Sequence, residues 1–289
     1  MKSLTAFSLR IFVADGDPDG LRLVERSNWI GKAVIFPRAL YPNVRDREEF
    51  QQTGVYLLIG PGESADRDQL YIGEGDPVRP RLEQHYAKKD FWTRAVFFVA
   101  GEGQLNKAHV QYLESQLIKR ATKAKRVPLE NGNIPTEPTL SEADRADMDV
   151  FLGNILGMLP VLGIHAFEQS SQKAEAGSPL LTCQGKGITA TGRDTAQGFV
   201  VRAGSHALRE VTPSLEEWSP STCDLRKQLV ANGVLAEEKG SYRFTQDYTF
   251  SSPSLAAQVV LGRSANGRTE WKDPTGKTLK ALQEAEAAK

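Results

Sequence analysis

The sequence predicts a mixed α/β chain of the α+β kind in two domains, and three observations carry that prediction. Short alternating apolar runs separated by Gly, Pro and Asp fill the first hundred residues, as antiparallel strands would. Two longer segments with apolar residues at three–four spacing follow, at 105–126 and 141–162, as amphipathic helices would. The stretch "EQSSQKAEAGSP" (168–179) is polar and poor in large apolar side chains, so it reads as a linker to a second set of short elements.

In order, "SLRIFVAD", "GLRLVER" and "KAVIFPR" alternate apolar and polar residues and predict a small meander within residues 1–49. "TGVYLLIGPG" (53–62) and "QLYIGEG" (69–75) predict two paired strands joined by a polar loop containing Gly62 and Asp66. "RPRLEQHYAKK" predicts a short helix with Pro80 near its start, where the missing N–H costs little. "RAVFFVAG" (94–101) is a buried strand, and Val110, Leu113, Leu117, Ile118 and Ala121 form the inner stripe of the next helix. Residues 50–135 therefore form one unit, followed by a connecting helix over 136–167 with Ser141 as its cap. Residues 180–289 predict a second α+β domain. It has strands in "LLTCQGKGITATGR" and "QGFVVRAGSHAL", a helix in "STCDLRKQLVANG", a strand pair in "GSYRFTQDYTF", a Ser-Pro-Ser helix start and a frayed helical tail.

The chain has 289 residues, 40% of them hydrophobic and 25% charged, enough for two modest cores. Thirty-six basic and thirty-six acidic groups cancel, but residues 79–126 hold eleven Lys or Arg against four acids. Such a local basic surface attracts a polyanion even in a neutral molecule, although a Lys/Arg-rich helix is more often just a solvated face. Two cysteines forty residues apart and four scattered histidines exclude a disulfide framework and a zinc site. No phosphate-binding glycine loop occurs: "GKGITATG" lacks the Lys-Ser/Thr ending, and no small-molecule cofactor is expected. The most apolar stretch, 150–167, is broken by Asn, Pro and His, so a buried helix is expected rather than a membrane span. With no signal-like N-terminus, a cytoplasmic protein is expected.

Chemistry concentrates around 54–133. Tyr56 and Tyr71 lie on the two predicted strands; Arg81 and His85 stand at i and i+4 on one helix face; Glu114 falls within the apolar stripe of the following helix. A carboxylate there is costly unless something positive meets it, and a boundary Glu reaching solvent is the plain alternative. Each residue alone would be packing or a surface accident.

As an ordered set they resemble the GIY-YIG endonuclease family. "GVY" (54–56) stands for the first tripeptide and "YIG" (71–73) for the second. Arg81 and His85 match the family's Arg-x-x-x-His, Glu114 its metal-binding Glu, and "ENGN" (130–133) its Asn, as Asn131 or Asn133. The segment between the tripeptides is longer than in compact members, and position 74, a Lys or Ser in some members, is Glu74, so an assisting cation is missing there. The resemblance, over roughly 50–135, implies a small antiparallel sheet flanked by helices. It also implies a catalytic set of Tyr56, Tyr71, Arg81, His85, Glu114 and Asn131, with one Mg²⁺ or Mn²⁺ on Glu114 and a phenol made acidic by nearby cations. Arg79, Arg81, Lys119 and Lys123 would face nucleic acid.

The C-terminal domain is similar to the RAMA module attached to restriction and modification enzymes. That implies DNA contacts from Arg263, Asn266, Arg268 and Trp271, with a core tryptophan the equally natural reading of the last. The expected activity is metal-dependent cleavage of DNA, in restriction of foreign or modified DNA or in repair. The alternative is a DNA-binding or adaptor protein that no longer cuts.

Overall fold

A computed structural model of the chain describes residues 6–62, 68–101, 103–133, 135–168, 179–195 and 198–287. The chain divides into two compact units, Met1–Glu168 and Gln169–Lys289, both of α+β architecture. The expected linker, 168–179, lies almost wholly outside the described residues, as does most of the loop carrying Asp66.

In the first unit the strands are β1 (Leu9–Val13), β2 (Arg22–Arg26), β3 (Gly31–Pro37), β4 (Gly54–Pro61), β5 (Asp68–Gly75) and β6 (Arg94–Ala100). They form one antiparallel sheet in the order β1-β2-β3-β6-β4-β5. The N-terminal meander, expected as an extension packed on the 50–135 unit, continues the sheet of that unit. Its last strand, β3, pairs with β6 through seven residues, Gly31↔Ala100 to Pro37↔Arg94, and lengthens the same sheet. The helices are α1 (Tyr41–Val44), α2 (Val78–Lys88), α3 (Lys107–Ala124) and α4 (Glu142–Met158).

Both faces of the sheet are covered, which is why its central strands read as nearly continuous apolar runs. On one face Val55, Leu57, Ile59, Leu70, Ile72 and Phe98 pack with residues of α3 and α4. Met148, Phe151, Leu152 and Ile155 of α4 belong to this core, so the connecting helix is an integral layer of the unit. On the other face Tyr56, Leu58 and Phe97 pack with Phe36, Tyr41, Phe50, Val78, Leu82 and Trp92. Ser141 caps α4 by accepting from the Asp144 N–H, and Asn106 caps α3 by accepting from the His109 N–H, so both predicted helices start at side-chain acceptors. Among the described residues no helix is long and apolar enough to cross a membrane.

The second unit contains β7 (Leu181–Gly185), β8 (Ile188–Thr195), β9 (Gly198–Val201), β10 (His206–Leu208), β11 (Leu235–Glu238), β12 (Ser241–Phe244) and β13 (Tyr248–Phe250). Its helices are α5 (Pro213–Trp218), α6 (Pro220–Ala231), α7 (Pro253–Leu261), α8 (Gly267–Glu270) and α9 (Leu279–Ala287). One sheet has the order β13-β9-β8-β7 and the other β10-β12-β11. "GSYRFTQDYTF" is therefore not a hairpin: β12 joins the three-stranded sheet and β13 pairs with β9. Buried Arg226 of α6 donates to the carbonyl oxygens of Leu208, Arg209 and Val259, tying α6 and α7 to the end of β10. A guanidinium can be buried there because three backbone acceptors replace its water.

Candidate active site

The site begins with the hairpin. In the β4–β5 pairing Tyr56 lies opposite Gly73 and Leu58 opposite Tyr71, so both phenols leave the same face of the sheet. Their rings stack at 6.3 Å and 28°. Gly73 makes this arrangement possible: a Cβ there would stand 2.3 Å from Tyr56 Oη. The glycine of "YIG" is thus the space in which the first tyrosine lies.

Helix α2 covers these rings. His85 is buried on its inner face, 4.8 Å from the Tyr71 ring centroid, and its Nε2 is 2.7 Å from Tyr56 Oη. Burial first, then the positive charges of Arg81 and Lys89, lowers the imidazole pKa to about 4. At neutral pH the ring is neutral, and the Tyr56 hydroxyl donates to Nε2 in the tautomer whose proton is on Nδ1. The Lys89 ammonium lies 4.7 Å above the Tyr71 ring.

Tyr56 itself departs from expectation. Nearby cations were to make it acidic, and Arg81 does pull in that direction. Complete burial of the phenol prevails, with Tyr71 and Glu114 adding to it, and its pKa stands well above the ordinary value. Desolvating a phenolate costs more than one guanidinium returns. Tyr71, half-buried, is raised for the same first reason.

Arg81, one turn before His85, is exposed and donates from Nη1 to Gln84 at 3.0 Å. Burial lowers its pKa, but the two phenols and Glu74 outweigh this, so the net shift is upward and the charge is secure. Glu114 of α3 is half-buried, and among the described residues no hydrogen bond or ion pair closes on its carboxylate. Burial, then repulsion from Glu74, pushes its pKa up to about 7 against the attraction of Arg81 and Lys107. The cation absent from position 74 arrives from another element. Lys107, the first residue of α3, places Nζ 2.6 and 2.8 Å from the two Glu74 carboxylate oxygens.

Of the two asparagines, Asn131 bonds to β5. Its Oδ1 accepts from the Ile72 N–H at 3.0 Å and its Nδ2 donates to the Ile72 carbonyl at 2.7 Å. With the Leu70 N–H donating to Pro128 O and the Glu130 N–H to Leu70 O, segment 128–131 runs along the free edge of β5. Asn131 therefore holds the strand that carries Tyr71 in place. Asn131→Ala should lower unfolding free energy by about 1–3 kcal/mol, because both Ile72 backbone groups lose their partner, whereas Asn133→Ala should change it little. Denaturant titration checks both.

A second expected result concerns acid. The unfolded chain protonates His85 near the ordinary 6.5, the folded chain near 4. Between these values the unfolded state binds more protons. The stability due to neutral His85 is therefore complete above about 6.5 and lost as pH falls toward 4. Protonated Nε2 can no longer accept from Tyr56. Glu114, raised to about 7, acts in the opposite sense over much of the same range, so the readout is the difference. His85→Gln should gain melting temperature relative to the parent as pH falls from about 6.5 toward 4, measured by circular dichroism.

As a cation site, the donor set suits a hard ion. Glu114 and Glu74 offer carboxylate oxygens, and among the described residues no group of three or more His, Cys, Asp or Glu forms a cage. An ion here would take one or two protein oxygens and keep its other positions for water and substrate, as Mg²⁺ and Mn²⁺ do.

The expected basic surface is partly spent on internal pairs. Arg79 pairs with Asp46 at 2.9 Å, and Lys119 with Glu137, which also holds Arg145 at 3.4 Å. Lys123 is exposed. In the second unit Trp271 is fully buried, donates from Nε1 to Pro253 O at 3.0 Å and packs 4.4 Å from Phe199. It is a core residue and not a surface contact. Arg263 donates to Glu270 at 2.8 Å, Asn266 caps α8, and Arg268 donates to Gln283 at 3.0 Å. These three side chains brace α8 and α9.

No curated protein and no solved structure matches the chain. Residues 181–283, from the start of β7 into α9, match the model of a domain of unknown function, DUF4357, and the second unit is similar to that family over this span.

Proposed function

We propose that the first unit is a metal-dependent DNA endonuclease that hydrolyses phosphodiester bonds, as the resemblance to GIY-YIG enzymes implies. The observation that carries this reading is the buried Tyr56–His85 hydrogen bond beside Tyr71, Arg81 and a half-buried Glu114 on whose carboxylate no hydrogen bond or ion pair closes among the described residues. A divalent cation held by Glu114 would supply Lewis-acid stabilisation of the scissile phosphate. Arg81 pairs its planar fork with phosphate oxygens. Tyr71 orients the phosphate from the neighbouring strand. Tyr56 takes the proton of the attacking water as its own passes to His85 Nε2, so a free phenolate is never required in the resting site. The water oxygen bonds to phosphorus as the P–O bond to the leaving sugar oxygen breaks, and that oxygen, which the cation would stabilise, takes a proton from solvent. Neutral His85 is the acceptor that this transfer needs.

The second unit, in this reading, selects the substrate, as the resemblance to RAMA modules of restriction and modification enzymes suggests. Restriction of foreign or modified DNA is the corresponding role. One observation favours the alternative of a DNA-binding protein that does not cut: Tyr56 has no exposed surface, so water reaches it only if α2 yields.

The test is incubation of supercoiled plasmid with the full chain in Mg²⁺ or Mn²⁺, with EDTA controls. Cation-dependent nicking supports the proposal. DNA binding that weakens with salt, without nicking in either ion, supports the non-cutting alternative.

A further inference from the structure

We infer that Lys107, held on Glu74 next to Glu114, is an internal counter-ion for the cation site, and that Glu74 joins Glu114 in holding the divalent ion when the ammonium withdraws. The inference rests on the reading of Glu114 as a cation ligand and adds to it a second carboxylate and a built-in competitor.

The first support is where Lys107 stands. It opens α3, whose first turn carries no acidic residue. The unsatisfied N–H groups of a helix start give it positive character, so an ammonium there is disfavoured by its own helix. It stays because Glu74 takes it with both oxygens, at 2.6 and 2.8 Å. The second support is the asymmetry of the pair. The Glu74 side chain is 13% exposed and the Lys107 side chain 51%. The carboxylate is fixed inside, between Gly73 and Gly75 on β5, while the lysine reaches it from solvent on a flexible stem. Such a cation can leave without unfolding anything; the carboxylate cannot.

The third support is the neighbourhood. The charge of Glu74 acts on both Glu114 and Arg81, and that of Lys107 acts on Glu114. Glu114 thus feels the second carboxylate, from β5, and the ammonium that pairs with it, in opposite directions. A small doubly charged ion with hard oxygen preference satisfies both carboxylates better than a lysine does. Displaced, the lysine remains tethered at the rim, where phosphate oxygens of a bound substrate would need a positive partner. A merely structural pair between β5 and α3 would contribute to stability and leave cation affinity unchanged.

The experiment titrates Mn²⁺ alone into the full chain at pH 7.5, without DNA, and follows free Mn²⁺ by electron paramagnetic resonance. Glu74→Gln and Glu114→Gln should each weaken Mn²⁺ binding by about tenfold or more, and Lys107→Met should tighten it about three- to tenfold. Melting in EDTA checks that each variant folds. If Glu74→Gln does not fold, the sign of the Lys107→Met change decides. Parent-like binding by Glu74→Gln, or no tightening by Lys107→Met, overturns the inference. Absence of Mn²⁺ binding by the parent overturns it together with the reading of Glu114. The expected pattern in a protein that nicks no DNA upholds the inference and removes the nuclease proposal alone.

Discussion

Arg81→Ala should cut the initial rate of plasmid nicking by about 10²–10³ while leaving the melting temperature within about 2 °C of the parent. The side chain is exposed; it donates to Gln84, one turn along its own helix, and reaches the phenols of Tyr56 and Tyr71, so the fold gives up only partly exposed hydrogen bonds with it. Its value lies in charge placed beside two phenols and Glu114, in a site where burial raises the cost of every negative group. Arg81→Lys should recover only part of the rate, because an ammonium keeps the charge and loses the two-point fork that fits phosphate oxygens. Equal activity in Arg81→Ala and the parent would remove Arg81 from the phosphate contact. Nicking rates in Mn²⁺ with parallel melting curves read both quantities.

Tyr56→Phe should reduce nicking by about 10²–10⁴ and lower stability by about 1–2 kcal/mol. The two losses have one origin. The hydroxyl is hydrogen-bonded to His85 Nε2 at 2.7 Å, in a place closed to water, so its removal leaves a buried imidazole nitrogen without its partner. In the proposed mechanism it also removes the group that passes the water proton to that nitrogen. Gly73→Ala offers an independent approach to the same atom. The added methyl would stand 2.3 Å from Tyr56 Oη and must displace the phenol or part the two strands. It should therefore resemble Tyr56→Phe in rate although every polar group is retained. If Tyr56→Phe nicks at the parent rate, the hydroxyl is a packing group and the proton route through His85 is wrong. Steady-state nicking and urea titration distinguish these outcomes.

Local order was legible from the sequence because it follows from local chemistry. Alternation marked β1 to β3, short apolar runs marked β4 to β6, three–four spacing marked α3 and α4, and Ser141 marked a helix start. The ordered pattern of Tyr56, Tyr71, Arg81, His85 and Glu114 was legible too, since one hairpin and its following helix place four of the five. Relations between distant segments were not. Nothing in "GKAVIFPR" announces that it pairs with 94–100, because the choice of neighbour in a sheet depends on which faces are left to bury. The strand β11 was missed because "LAEE" offers a single buried position. The basic stretch 79–126 looked freer than it is, since the acids that meet Arg79, Lys107 and Lys119 are Asp46, Glu74 and Glu137, outside its bounds. The high pKa of Tyr56 was beyond reach for a similar reason. Counting neighbouring cations says nothing of how completely a ring is desolvated. Trp271 carried the same ambiguity in reverse: an aromatic among Arg and Asn reads as a contact surface until its burial against Phe199 is seen.

The central claim is that these side chains, gathered around one cation on Glu114, cut DNA. The most direct measurement is a time course of supercoiled plasmid with the full chain and with Glu114→Ala, purified side by side, in Mn²⁺. The account predicts conversion to nicked circles by the parent, none above background by the variant, and loss of parent activity in EDTA. Nicking at equal rates by both proteins, or none by the parent in either Mg²⁺ or Mn²⁺, would contradict it.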